Sequence, residues 1–282
     1  MDALPPEIQA TAELYRKVAR WDAYINSIPE EKVATLPPRD VDGANRAKIQ
    51  LALMYKENGL DDVKMHNIFQ KATWDASADA KAIRASMGKM PSHIEQRVDR
   101  ACELVADAVK KSEGGRKNGR CLDVGCGHGA IVPNLTKAGL YTSQITGVDL
   151  STEMIKNAEQ TYRGAHFIAT DFINEYQPSD YFDGIIFCST LHDLPDMVRS
   201  LEKAASMLRP NGVLVLLHAQ GAMHVAGQHK ANPVMVKRGL PSAEELKDIA
   251  NSLNLVLEIE PADAGSKEDE SEGYLAVLRK AS

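Results

Sequence analysis

Apolar positions recur every three to four residues through roughly the first 118 positions of this chain, then gather into short unbroken runs. The first pattern predicts helices and the second buried strands. Leu14, Val18, Trp21 and Ile25 fall at i, i+4, i+7 and i+11, one face of a helix that stops before Pro29. A second helix is predicted over Ala47 to Tyr55, stopped by Asn58-Gly59, and a third from about Asp61 to Ala85. Ser92 and Glu95 after Pro91 have the spacing of a capping box, in which each side chain satisfies an amide at the helix start. The helix so opened carries Ile94, Val98, Cys102, Val105 and Val109 on one side, and Gly114-Gly115 ends it.

From Arg120 the runs read as strands alternating with helices, the order of a parallel sheet with crossover helices. Seven strands are predicted: 120–124, 144–149, 166–170, 184–188, 212–218, 255–259 and 274–279. Helices are predicted near 130–137, 152–162, 197–208 and 243–253, the last behind its own capping box, Ser242 with Glu245. The acidic, apolar-poor run Asp263 to Glu272 reads as a solvated turn between the last two strands. The fold class that results is α/β, a doubly wound Rossmann-like sheet of seven strands with the last one antiparallel. A helical N-terminal extension or cap, 1–118, precedes a domain over 119–282.

Composition narrows the partners. The chain has 282 residues, 44% of them hydrophobic and 26% charged, which provides material for a sizeable core. Its net charge is −6, and no basic stripe of the kind phosphate contacts demand is present, so nucleic acid is not expected as a partner. No apolar run is long enough to cross a bilayer, and no membrane partner is expected. The four cysteines, Cys102, Cys121, Cys126 and Cys188, lack the C-x-x-C spacing, which predicts reduced thiols and a cytoplasmic chain, or an organellar one had a targeting segment been removed. A monomer or homodimer is expected.

The candidate chemistry begins where the first strand runs through Asp123-Val124-Gly125-Cys126-Gly127-His128-Gly129 into a helix. Glycines there turn tightly and let a ligand approach bare backbone at a helix start. Gly125, Gly127 and Ala130 also satisfy the dinucleotide fingerprint, with Asp149 placed for a ribose hydroxyl in either case. Asp123, two places before the first glycine, favours a ligand ammonium and would repel a pyrophosphate. Asp171 closes strand three, where it can accept from an adenine amino group while Phe172 packs against the ring.

Leu122 to Gly129, Gly147-Val148-Asp149-Leu150-Ser151, Ala169-Thr170-Asp171-Phe172 and Leu208-Arg209-Pro210-Asn211-Gly212 together resemble the class I S-adenosylmethionine-dependent methyltransferases. That resemblance spans roughly residues 69 to 280. It implies S-adenosyl-L-methionine as cofactor, with Asp123, Gly125, Cys126 and Gly127 under its amino-acid part. Asp149, Leu150 and Met154 would then lie beside the ribose, Thr170, Asp171 and Phe172 near the adenine, and Cys188 and Ser189 beside the sulfonium. Residues 69–87, with Ala72-Thr73-Trp74-Asp75, are similar to the lid helix that precedes the core in many members, where Trp74 serves either as cofactor cover or as plain core.

The acceptor implied is a small molecule, because no Asn/Asp-Pro-Pro-Tyr/Phe motif follows strand four. Ligands of such sheets lie beyond the carboxyl ends of the strands, where His192 and His218 fall, and both are candidate proton acceptors or pocket-shaping groups. His224 and His229 are read as part of a substrate loop, and no metal site is assigned. A nicotinamide-dependent oxidoreductase and a non-catalytic S-adenosylmethionine-binding regulator remain the alternatives.

Overall fold

The computed structural model describes residues 62–87, 91–112, 118–231 and 235–282. The helices expected around Leu14 to Ile25 and Ala47 to Tyr55 lie outside the described residues. The remainder falls into two compact units, one within Met1–Lys89 together with Ser151–Met154, the other Met90–Leu150 with Ile155–Ser282.

In the first unit the helix α1 (Asp62–Met87) buries Phe69, Ala72, Ala76 and Ala78. One turn apart on it, Trp74 Nε1 donates to Gln70 Oε1 at 2.9 Å. Asp75 gathers three donors: Ser151 Oγ at 2.6 Å, Lys71 Nζ at 2.9 Å and the Glu153 amide at 3.3 Å. Burial alone would raise that carboxyl, but the bonds from Ser151 and Lys71 outweigh it and hold the group below its usual range.

In the second unit the helix α2 (Ser92–Lys111) leads into β1 (Cys121–Val124), α3 (Val132–Lys137), β2 (Ile145–Asp149), α4 (Thr152–Thr161) and β3 (His166–Ala169). There follow β4 (Phe182–Cys188), α5 (Met197–Met207), β5 (Leu208–His218), α6 (Ala222–Ala231), α7 (Ala243–Ser252), β6 (Leu255–Ile259), α8 (Lys267–Glu272) and β7 (Tyr274–Lys280). The strands form a seven-stranded sheet in the order β3-β2-β1-β4-β5-β7-β6. Pairing is parallel from β3 through β5, and β7 runs antiparallel to both its neighbours.

The alternation of side chains along β5 explains the two-layer core. Leu214 and Leu216 join Leu122, Ile185, Phe187, Leu201 of α5 and Leu246 of α7 on one face. Val213, Val215 and Leu217 face the other way, against Val98, Val105 and Val109 of α2 and Leu135 of α3. So α2, which the sequence assigns to the segment before residue 118, packs with the sheet in the second unit. The fit is close: a Cβ placed on Gly184 of β4 would come within 2.8 Å of Val105 Cγ1.

Three local readings are corrected by the structure. Ser92 and Glu95 form no capping box, because Pro91 holds the N-cap position and no side chain caps the helix there; the Glu95 amide bonds the Pro91 carbonyl at 3.0 Å. Strand β5 starts at Leu208 rather than Gly212, pairing Leu208 with Phe182 before a register shift that includes Asn211 at φ 63° and resumes at Val213 opposite Gly184. The acidic run before β7 is not simply a solvated turn, since it contains α8, and Asp269 is buried there. Asp269 accepts the amides of Ala222 at 2.6 Å, Met223 at 3.0 Å and Gly265 at 3.1 Å, and so ties that segment to the first turn of α6.

Candidate functional site

Neighbours of β1 lead away in opposite directions, β2 on one side and β4 on the other, so the strand order reverses beside β1. In such sheets a crevice opens at the carboxyl ends of the strands at that point. The loop leaving β1 lies there, and its conformation needs glycine. Gly125 has φ 70° and packs so tightly that an added Cβ would sit 2.1 Å from Thr190 Cγ2. Gly127 has φ 54°, yet an added Cβ would meet nothing within 4 Å, so the backbone there borders open space.

The amides of this loop are already spent. Gly125 and Cys126 donate to the Val148 carbonyl at 2.8 and 3.1 Å, Gly129 donates to the Cys126 carbonyl at 3.0 Å, and Gly127 donates to Asp149 Oδ2 at 2.8 Å. A pyrophosphate cradle works by offering such amides to the ligand. This loop instead turns its donors inward. Thr190, after β4, adds a bond from its hydroxyl to the Gly125 carbonyl at 3.1 Å. It is a residue that the sequence did not single out, because its partner lies 65 positions earlier.

Behind the loop stands Asp123, 2% exposed, and no described residue donates a hydrogen bond to its carboxylate. Burial, with the Asp149 carboxylate adding to it, pushes its pKa up to about 8. A buried acid of that kind is complementary to a cation.

The other residues expected at the site divide into two groups. Leu150 and Thr170 are partly exposed, following β2 and β3. Cys188 ends β4, and its thiol is pushed up to about 12 by burial and by Asp123. Ser189 follows, solvent-exposed and held at φ 55°, with its amide on the Leu217 carbonyl at 2.7 Å; left-handed backbone in a residue other than glycine is uncommon and clusters at functional sites. Met154 is buried in the first turn of α4. Asp171 closes its own turn, its Oδ1 accepting from the amides of Ile173 and Asn174 and its Oδ2 from Asn174 Nδ2 at 2.8 Å. Phe172 turns into the core rather than toward a ligand, edge-on to Phe187 at 5.8 Å and beside Tyr176 at 6.2 Å.

The structure brings the two candidate histidines together. The rings of His192 and His218 cross edge to face with centroids 4.9 Å apart, and His224, from the first turn of α6, stacks on His218 at 5.6 Å. His224 is therefore on a helix, not in a substrate loop, and His229 of the same helix goes elsewhere, its Nδ1 meeting the Val236 carbonyl at 2.6 Å. His192 and His218 line one small cavity with Thr190 and Tyr274. His192 also lines a second cavity of about 180 Å3 with Leu194, Pro195 and Lys237.

Burial, then the neighbouring His192 and His224, lower the pKa of His218 to about 3. Its Nδ1 meets no hydrogen-bond partner among the described residues. The folded protein therefore holds this ring neutral where the unfolded chain, with an ordinary value near 6.5, binds a proton. The stabilisation is complete above pH 6.5 and is lost as the pH falls toward 3. Unfolding by denaturant is expected to show a loss of about 2 kcal/mol between pH 6.5 and 5 from this group. A His218→Gln variant should lose that part of the slope, and an unchanged slope would contradict the assignment.

Residues 122–216 match the family described as a methyltransferase domain. Over that segment the chain is similar to methyltransferase domains. Among curated relatives, a demethylmenaquinone methyltransferase of Staphylococcus aureus is 26% identical over 151 residues. That alignment covers 50% of this chain and 63% of the relative. Two solved structures share the fold. The CurJ carbon methyltransferase superposes with TM-score 0.54 at 17% identity, covering 85% of this chain and 71% of that one. The plantazolicin methyltransferase BpumL, in complex with SAH, superposes with TM-score 0.52 at 16% identity, covering 81% and 100%. The matched segment runs from β1 through most of β5, and so includes the glycine loop, Asp149, Asp171 and His192.

Proposed function

We propose that the protein transfers a methyl group from S-adenosylmethionine to a small-molecule acceptor. The observation that carries this reading is the pairing of Asp123, a buried carboxylate to which no described residue donates, with a loop whose amides at Gly125, Cys126, Gly127 and Gly129 are bonded within the protein. That arrangement suits an ammonium and offers little to a diphosphate. Asp123 takes the ammonium of the amino-acid part, and Asp149 accepts from the ribose hydroxyls. Leu150 gives apolar contact, and Asp171 shares its Oδ2 with an adenine amino group. Bound there, the cofactor supplies a methyl carbon activated by the positive sulfur.

The chain's own residues then have two tasks. Thr190, Cys188 and Ser189 shape the wall at the end of β4, and the larger cavity beside His192 holds the acceptor and excludes water. When the acceptor loses a proton on attack, His192 is the group placed to take it. His218 is a poor base, with its pKa near 3, and acts by packing against His192 as a neutral ring.

Equilibrium binding decides between this reading and a nicotinamide enzyme. S-adenosylhomocysteine should bind at micromolar concentration, NADH should not, and methyl-labelled cofactor should pass its label to a component of a fractionated small-molecule extract. Tight NADH binding without S-adenosylhomocysteine binding reverses the conclusion. Cofactor binding with no labelled product in any fraction would point to a regulator.

A further inference from the structure

The mechanism leaves one deeply buried carboxylate unused. Asp269 of α8 is 2% exposed, although Glu268, Glu270 and Glu272 around it are exposed to solvent. Burying a carboxylate is costly unless hydrogen bonds replace its water, and here most of the replacements come from far along the chain. Oδ1 accepts from the Ala222 amide at 2.6 Å and Oδ2 from the Met223 amide at 3.0 Å, the first two residues of α6. The Gly265 amide adds a third bond at 3.1 Å. Gly221, at φ 87°, makes the close approach possible, since an added Cβ would sit 2.6 Å from Asp269 Oδ1. One carboxylate thus sets where the chain turns after β5 and where α6 starts.

Arg97 of α2 grips the same turn independently. Its guanidinium donates to the Ala219 carbonyl through one terminal nitrogen and to the Glu270 carbonyl, at 2.6 Å, through the other. Two histidines flank the turn held in this way: His218, which ends β5, and His224, in the first turn of α6. Their rings stack at 5.6 Å, and His218 in turn crosses His192 at 4.9 Å. The charge of Asp269 reaches His218 as well, opposing the lowering that burial and the two neighbouring rings produce.

We propose that Asp269, supported by Arg97, is a positioning residue for methyl transfer: by fixing the turn after β5 it holds His218 and His224 in place against His192. The inference rests on the methyltransferase reading, with His192 as the proton acceptor. A supporting group that lets a reacting one shift by about 1 Å costs up to about a hundredfold in rate. The glycine loop has bonds of its own, to the Val148 carbonyl and to Asp149, so cofactor binding does not depend on this turn.

Two measurements on the full chain test this. Isotope-labelled histidine reports ring-to-ring nuclear Overhauser contacts, and methyl-labelled S-adenosylmethionine reports the rate of transfer to the extract fraction that accepts label. The unaltered protein should show contacts from the His218 ring to both neighbours. In Asp269→Asn the contact between His218 and His224 should be lost and transfer at saturating cofactor should slow about tenfold, with S-adenosylhomocysteine affinity within about twofold. Arg97→Gln should give a smaller fall in the same direction, and it becomes the deciding variant if Asp269→Asn does not fold and so binds no S-adenosylhomocysteine. Arg100→Ala is the control, because it breaks an exposed ion pair with Glu272 at 3.0 Å that joins the same two helices without touching the turn. Its ring contacts and rate should match those of the unaltered protein. Preserved ring contacts or an unchanged rate in the deciding variant, or an equal fall in Arg100→Ala, each overturn the proposal. Failure of the methyltransferase reading looks different, because then the unaltered protein neither binds S-adenosylhomocysteine nor transfers label, while the ring contacts still show whether Asp269 places the histidines.

Discussion

Replacing Asp149 by Ala should weaken S-adenosylhomocysteine binding by about a hundredfold to a thousandfold, with a smaller effect on stability. The carboxylate has two tasks. One oxygen accepts the Gly127 amide at 2.8 Å and fixes the loop at its open side. The proposed ribose hydroxyls require further acceptor capacity on the same group. Each charge-assisted bond is worth roughly 1.5–3 kcal/mol, and losing two of them at about 1.5–2 kcal/mol each gives the stated range. Asp149→Asn separates the tasks, since its amide oxygen can still accept from Gly127 while its nitrogen cannot accept from a hydroxyl. Calorimetry should therefore place Asn between wild type and Ala. Unchanged affinity in both variants would mean that the glycine loop holds something other than an adenosyl ligand.

Much of the fold was legible because a parallel sheet buries its strands on both faces. Runs such as Ile185 to Cys188 and Val213 to Leu217 have few polar interruptions, and glycine or charged residues mark their ends. Six of the seven observed strands begin within two residues of the sequence-based bounds. What the pattern missed was in one place a local backbone effect and in another a partner far along the chain. Ser92 with Glu95 has the spacing of a capping box, but the backbone of Pro91 occupies the capping position and shifts the serine inside the helix. Asp269 was indistinguishable from its acidic neighbours, and only the amides of Ala222 and Met223, on a helix more than forty positions earlier, explain its burial.

The site shows the same division. Asp123, Gly125, Gly127 and Asp149 could be placed because a strand, its following turn and the next strand lie close in sequence. Thr190 was missed, since nothing local to it signals that it presses on Gly125. Phe172 misled in the opposite way. An aromatic after an acid at a strand end invites a ligand role, but the turn that Asp171 closes carries the ring inward to Phe187. Sequence spacing fixed which side chains reach the carboxyl ends of the strands, whereas their direction was set by packing.

At Asp123, function and stability are expected to pull in opposite directions. Its pKa in the folded protein is about 8 against an ordinary value of 3.8, so the fold favours the protonated acid. A raised value means that the full stability is present below 3.8 and is lost progressively as the pH rises through 8. At pH 7 the folded chain holds a proton there that the unfolded chain has released. Asp123→Asn removes this cost, and should raise unfolding stability at pH 7 by about 2–4 kcal/mol. The same change should weaken S-adenosylhomocysteine about a hundredfold, because an amide cannot pair with the ligand's ammonium. In the unaltered protein, that pairing favours the ionised carboxylate, so binding at pH 7 should release close to one proton. Titrations in buffers of different ionisation enthalpy measure that number directly, and the affinity should rise almost tenfold per pH unit from 6 to 7 before flattening near 8. In Asp123→Asn both the proton release and the pH dependence should disappear. If neither is seen in the unaltered protein, the ammonium is bound elsewhere, and the isolated acid behind the glycine loop requires another explanation.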